Sequence, residues 1–287
     1  MSATGTRVDP LSLAGVLRRW AAAGPGVPVD REVLAEVRDE LEGAARNAVG
    51  RAGNLPAGPI RLSKGRVAAL LACERHLVLT AGDPGDVSRG NDDDEALHLG
   101  MLVDVLAEHH VVRARPDPPA DPLAVALVLC RAQGSDPHDA TVAWVESLDD
   151  LARARVGEVL TEKRAALLDG WPAFDPAWWA RTQERAAVAL ADGDLVLDGR
   201  VDVVVGGRPT PWPALAIEVK SGRFGLVHRD DGLVYALLLA LRDGASPAAI
   251  VTATAAGTVH VEPITADCLR SGARRVVAAI AVAGALA

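Results

Sequence analysis

Two short, nearly continuous apolar runs late in the chain each carry charge in their interior. The first, Arg200–Val205, reads Arg-Val-Asp-Val-Val-Val, and the second, Leu215–Lys220, reads Leu-Ala-Ile-Glu-Val-Lys. Gly199 precedes the first, a Gly-, Pro- and Trp-bearing loop over Gly206–Pro213 separates them, and Ser221-Gly222 follows the second. Runs this rich in branched residues between turn signals read as strands. Side chains alternate across a strand. Leu215, Ile217 and Val219 therefore share one face, and Glu218 and Lys220 the other. The same alternation groups Val201, Val203 and Val205 and turns Asp202 away from them. The apolar character of the second run places it inside a sheet, not at an edge.

Two neighbouring strands of this kind bring Asp202, Glu218 and Lys220 to one space. Paired carboxylates suit Mg²⁺ or Mn²⁺, hard cations that prefer oxygen ligands. Such a cation polarises a phosphoryl oxygen and makes bound water more nucleophilic, and a lysine beside it offsets charge building on the phosphate. No serine or cysteine nucleophile is required. A Glu-x-Lys pair is ordinarily a solvated strand face; the apolar setting and the position of both charged sets near strand ends argue for a site.

The rest of the chain sets these strands in an α/β frame. Residues up to about 170 read as helical, with candidates at Leu11–Ala23, Arg31–Val49, Leu62–Leu79 with Ser63 as N-cap, Glu95–Val112, Leu123–Gln133 and Leu148–Leu168. Loops are expected at Ala81–Asp94, Arg115–Pro122 and Gly206–Pro213. Ala186–Leu190 and Leu195–Leu197 read as short strands around a tight turn, His228–Arg242 as a helix, Ala249–Thr254 and Thr258–Ile264 as a hairpin, and Ala266–Ala283 as a last helix. The expected division is a helical N-terminal extension over 1–60 and a domain over 61–287 with a helical insertion at about 113–180.

Composition narrows the function. The chain has 287 residues, a formal charge of −8 and 49% hydrophobic residues, enough for a substantial core and too acidic for a protein that coats DNA. Cys73, Cys130 and Cys268 form no CxxC pair, so a disulfide framework is not expected and a reducing cytoplasm fits best. Met1–Pro10 lacks a charged-then-apolar leader pattern, and the apolar run Val276–Ala287 is shorter than the roughly 20 residues a bilayer span needs. No membrane partner is expected. No Gly-x-x-x-x-Gly-Lys-Ser/Thr motif occurs, so any motor belongs to a partner.

Gly199-Arg200-Val201-Asp202 followed by Ile217-Glu218-Val219-Lys220-Ser221-Gly222 resembles motifs II and III of the PD-(D/E)XK nuclease superfamily, in its RecB-like branch, close to the CRISPR-adaptation nucleases. Tyr235 matches the tyrosine of that branch's Gln-x-x-x-Tyr helix, with Asp231 where the glutamine is expected. Gly100 to Asp104 resembles a Gly-x-x-x-His helix whose histidine binds metal, with Asp104 in its place. Leu62-Ser63 through Cys73-Glu74-Arg75 resembles the opening helix, with Glu74 replacing a proline. The resemblance runs from Leu62 to Val261 in the family's order. It implies a restriction-endonuclease-like core, a central mixed sheet flanked by helices, and Mg²⁺- or Mn²⁺-dependent deoxyribonuclease activity on single- or double-stranded DNA. Asp104, Asp202 and Glu218 would be metal ligands, Lys220 would orient the water, and Tyr235 and Asp231 would support the site. A helicase or a defence or repair protein is the implied partner. Some relatives hold an iron–sulfur cluster on four cysteines; with only Cys268 near the end, no cluster is expected.

Other residues read more simply. Glu184 is either an extra acid or a solvated glutamate. His98, His109 and His110 read as surface residues, and His228 as a helix-start or surface residue. Arg223, Lys64, Arg66 and Arg75 are candidates for a phosphate groove. Asp92-Asp93-Asp94-Glu95 fits a helix start, and Trp171, Trp178 and Trp179 read as packing between helices and sheet. Because Asp104 and Asp231 depart from the family pattern, the alternative is a catalytically weakened module that binds nucleic acid or a partner protein. A third option is a hydrolase of other phosphoesters.

Overall fold

The structure, a computed structural model, describes residues 12–24, 31–52, 58–72, 91–113 and 117–286. Helices α1 (Leu13–Ala23) and α2 (Arg31–Ala52) precede a four-residue strand, β1 (Ile60–Ser63), which runs directly into α3 (Lys64–Ala72). A block of α4 (Asn91–Val112), α5 (Pro122–Gln133), α6 (Asp136–Ser147) and α7 (Asp150–Leu168) follows. The second part holds β2 (Arg181–Leu190), β3 (Leu195–Val205), β4 (Leu215–Lys220), α8 (Leu226–Asp243), β5 (Ala249–Thr254), β6 (Val259–Pro263) and α9 (Ala266–Leu286). The result is an α/β protein with a mixed central sheet flanked by helices. Among the described residues no helix is long and apolar enough to cross a membrane.

The sheet separates two apolar cores. On one face α2, α3, α8 and α9 contribute Leu41, Leu70, Leu237, Val276 and Ile280. On the other, α1 and α4 to α7 contribute Leu17, Trp20, Leu102, Ala126, Val145 and Leu160, and Trp171 joins them from the segment after α7. The N-terminal helices are thus built into the two cores. Helix α2 lies so close to α9 that a Cβ at Gly284 would meet Ala48 Cβ at 2.6 Å. Local signals hold several ends: Asp121 and Asp149 cap α5 and α7 by accepting from Ala124 N–H and Ala152 N–H.

Three expectations need correction. Leu62–Leu79 is not one helix: Ile60–Ser63 pairs in parallel with Leu195–Asp198, and the helix starts at Lys64. Ser63 still serves the helix start, since its Oγ accepts from Arg66 N–H at 3.2 Å. Leu195–Leu197 and Arg200–Val205 are one continuous strand that passes through Gly199, because β2 pairs with it from Leu195 to Val204. Third, Val201, Val203 and Val205 do not share a face: Val201 belongs to the α2/α8/α9 core, and Val203 and Val205 to the opposite one. Opposite Asp202, the β2 ladder skips Gln183, whose φ is +52°. The ladder is thus interrupted at the 183/202 pair, where the side chains of Val201 and Val203 part to opposite cores. Helix α6 was not anticipated from the sequence. Cys73, Glu74 and Arg75, and residues 81–90 of the expected loop, lie outside the described residues.

Candidate active site

Strand β3 is shared in an unusual way. Strand β2 takes one whole edge of it, so β1 and β4 must divide the other. β1 pairs with Leu195–Asp198 and β4 with Val203–Val205. Residues 199–202 on that edge face no strand, and the sheet forks there. The candidate site is this fork.

Backbone groups in the fork need partners, because an unpaired buried polar group costs as much as a lost hydrogen bond. Val219 N–H donates to Asp202 Oδ2 at 2.7 Å, and Tyr235 Oη–H donates to the Arg200 carbonyl at 2.7 Å. Tyr235 sits on α8 and crosses β3 where Gly199 has no side chain; a Cβ there would meet its ring at 2.8 Å. Burial holds the Tyr235 hydroxyl well above its ordinary pKa, so it stays a donor.

Glu218, beside Asp202 at the point of divergence, is 2% exposed. Lys220 Nζ donates to Glu218 Oε2 at 3.0 Å. Lys64 Nζ, from the first residue of α3, lies 4.0 Å from the same oxygen and 3.3 Å from Asp231 Oδ2 on α8. It also sits 4.9 Å over the Tyr235 ring. Among the described residues Glu218 Oε1 has no hydrogen-bond partner. Burial, then the charge of Asp202, pushes the Glu218 pKa up to about 7 against the pull of Lys220 and Lys64. Burial works against a charged Lys220, yet Glu218 and Asp202 hold its pKa above the ordinary lysine value.

From the opposite layer, α4 brings a second pair of acids. Burial, then the charge of Asp202, lifts Asp104 well above the usual carboxylate range, with Glu218 and Glu108 adding to it and Lys220 opposing. Glu108 stands one helical turn from Asp104 and is 9% exposed. Its Oε2 accepts from Gln133 Nε2 at 3.1 Å, its side chain also bonds Gln183, and burial raises its pKa. The sequence reading passed over Glu108, although a spacing of four on a helix puts it on the Asp104 face. It also gave Lys64 only a place in a groove, and the structure sets Lys64 inside the site.

The fork therefore brings together Asp202, Glu218, Lys220, Tyr235 and Asp231, and Asp104 lies within electrostatic reach of Asp202, Glu218 and Lys220. The donor set is carboxylate oxygen, which suits a hard divalent cation, and the unpartnered Glu218 Oε1 is a buried atom such a cation would satisfy. Among the described residues no group of three or more His, Cys, Asp or Glu side chains is gathered as a metal-ligand set. Asp202 and Glu218 are the residues that could hold such a cation, with Asp104 within electrostatic reach of both.

Several residues fall elsewhere. Glu184, on β2, is ion-paired to Arg242 at 2.9 Å and to Arg181 at 3.5 Å. His98 and His110 are not surface residues: His98 bonds Thr141 Oγ1 at 3.0 Å and stacks on Trp144, and His110 lies edge-on to Trp171. His228 Nδ1 accepts from Gly225 N–H at 3.0 Å and so caps α8. Arg66 and Arg223 are exposed. Trp171 is buried and Trp178 half-buried in the second core, whereas Trp179 is 41% exposed beneath the Arg181 guanidinium. Burial pushes the Cys130 thiol up to about 11, which leaves it inert.

No family model matches the chain, and no curated protein matches it. Among solved structures, the crystal structure of SSO0001 aligns over 83% of this chain and 83% of its own, at 12% identity and a TM-score of 0.27. A similarity that loose carries no inference about fold or function.

Proposed function

We propose that the chain is a Mg²⁺- or Mn²⁺-dependent nuclease of the PD-(D/E)XK type, with a restriction-endonuclease-like core, acting on DNA phosphodiesters. The observation that carries this reading is Glu218: a buried carboxylate with one oxygen on Lys220 and the other without a hydrogen-bond partner among the described residues, beside a second strand acid. A buried unsatisfied acceptor costs about 1–3 kcal/mol, and a cation bound at Glu218 would offset that cost.

Asp202 and Glu218 would hold the cation, with Asp104 joining on loss of its proton. A cation bound there supplies Lewis-acid polarisation of the phosphoryl oxygen and a more acidic water. Lys220, kept charged by its carboxylate neighbours, places an ammonium where negative charge would build on the phosphate. Tyr235 fixes the fork by tying α8 to the Arg200 carbonyl. Asp231 draws Lys64 away from Glu218, leaving Lys220 as its closer cation. The test is purified protein offered single- and double-stranded DNA with Mn²⁺, wild type beside Lys220→Ala. Metal-dependent cleavage lost in the variant supports the reading, and cleavage that persists unchanged in the variant overturns it.

A second reading, a catalytically weakened module binding nucleic acid or a partner, is favoured by one observation: no three-ligand set is gathered at the fork among the described residues. Calorimetry distinguishes the two, since a weakened module releases no heat on Mn²⁺ addition while still binding DNA.

A further inference from the structure

A cavity of about 160 Å³ opens beside the fork, between α8 and the β5–β6 hairpin. Its position follows from strand register. Glu218 pairs with Thr252, and Thr252 pairs with His260, so the three lie in one row across β4, β5 and β6. Strands are spaced about 4.8 Å apart, which puts the cavity wall at His260 about 10 Å from Glu218. Its floor residues, Leu233 and Ile250, belong to the α2/α8/α9 core, the side on which Tyr235 meets the fork.

The lining is chemically divided. Leu233 and Ile250 are apolar and buried. Phe224 and His260 stack face to face, with ring centroids 3.9 Å apart and planes 16° from parallel, and a flat ring can extend that stack on an outer ring face. Thr252 is buried beside them, and the rim carries the Arg229–Glu262 pair, joined by two hydrogen bonds of 3.1 and 2.8 Å. Because those two charges neutralise each other, the rim offers donors and acceptors without net charge. An anion such as free phosphate finds no unmatched cation there. A neutral, flat molecule with apolar faces and hydrogen-bonding edges meets all three surfaces.

We infer that this cavity is a nucleobase subsite, which takes one unpaired base of a single-stranded stretch whose phosphate lies at the fork. Assigning the ligand to nucleic acid rests on the nuclease reading above; the shape and chemistry of the cavity do not. A base held in a duplex cannot enter, so the subsite makes single-stranded DNA the preferred substrate. Base–aromatic stacking tolerates any sequence, and the subsite therefore selects strandedness more than base identity.

The test uses the full chain in EDTA and a single-stranded oligodeoxynucleotide carrying 2-aminopurine, with an oligonucleotide of abasic sites as control. Wild type should quench the fluorophore and bind the abasic control about tenfold more weakly. His260→Ala and Phe224→Ala should lose about tenfold in affinity for the base-bearing strand and nothing for the control. Equal affinity of wild type for both oligonucleotides, or unchanged quenching in both cavity variants, overturns the inference. Quenching without any metal-dependent cleavage supports the subsite while removing the nuclease reading; cleavage indifferent to the cavity variants removes the subsite alone.

Discussion

Two charged clusters are anchored on strands of the same sheet and differ in how completely they are satisfied. Around Arg242, the guanidinium bonds Asp243 at 2.6 and 2.9 Å, Glu184 at 2.9 Å and the Arg185 carbonyl at 2.7 Å. All three of its nitrogens are engaged, and its carboxylate partners keep partial contact with water. At the fork, Glu218 is deeper, has one idle oxygen, and shares its other with two lysines of which one is pulled toward Asp231. The first cluster ties β2 to α8. The second buries a carboxylate whose pKa is raised by that burial, and groups perturbed in that way cluster at functional sites.

The largest expected effect separates the two clusters by chemistry. Lys220→Ala should reduce Mn²⁺-dependent DNA cleavage by about 100- to 1000-fold, the range for removing one preorganised charge-stabilising donor, while circular dichroism stays native. Gly199→Ala comes next: a methyl forced to within 2.8 Å of the Tyr235 ring should cost about 2 kcal/mol in urea unfolding and slow cleavage through the displaced tyrosine. A fork indifferent to this change would mean that Tyr235 does not position β3.

Acidity gives a smaller effect with a definite sign. Glu218 titrates near 7, and only its ionised form ligates a cation, so proton and metal compete below that value. Calorimetric Mn²⁺ affinity should be about tenfold weaker at pH 6 than at pH 8 and level off above. A flat profile would show that Glu218 is not a ligand. The smallest effect belongs to the other cluster: Arg242→Ala should cost about 1 kcal/mol of stability and leave the rate of DNA cleavage per folded molecule unchanged. A large loss of cleavage there would erase the distinction drawn here.

Much of this was legible because β-strand alternation is local. Glu218 and Lys220 share a face in Leu215–Lys220 whatever the rest of the chain does, and the apolar residues between them place the strand inside the sheet. Asp202 was placed beside them correctly, but from a premise that fails at Gln183, where a residue with positive φ breaks the alternation of Val201 and Val203. No pattern in β3 announces a distortion whose cause lies in its partner strand. The strand Ile60–Ser63 was hidden for a similar reason: four residues leading into a helix have no period of their own, and only pairing with Leu195–Asp198 makes them a strand. Glu108 was readable from its spacing to Asp104. Lys64 was not, since its place beside Glu218 follows from that same long-range pairing.

The pairing of β1 with β3 has a kinetic consequence. The β2–β3 and β5–β6 hairpins join neighbours in sequence and can form early, whereas Ile60 must find Leu195 across the whole helical block. Contacts so distant carry a large loop-closure entropy and form slowly. Lys64 reaches Glu218 only when that strand docks, so completion of the fork is coupled to one of the last steps of chain assembly rather than to the two strands that bear its acids.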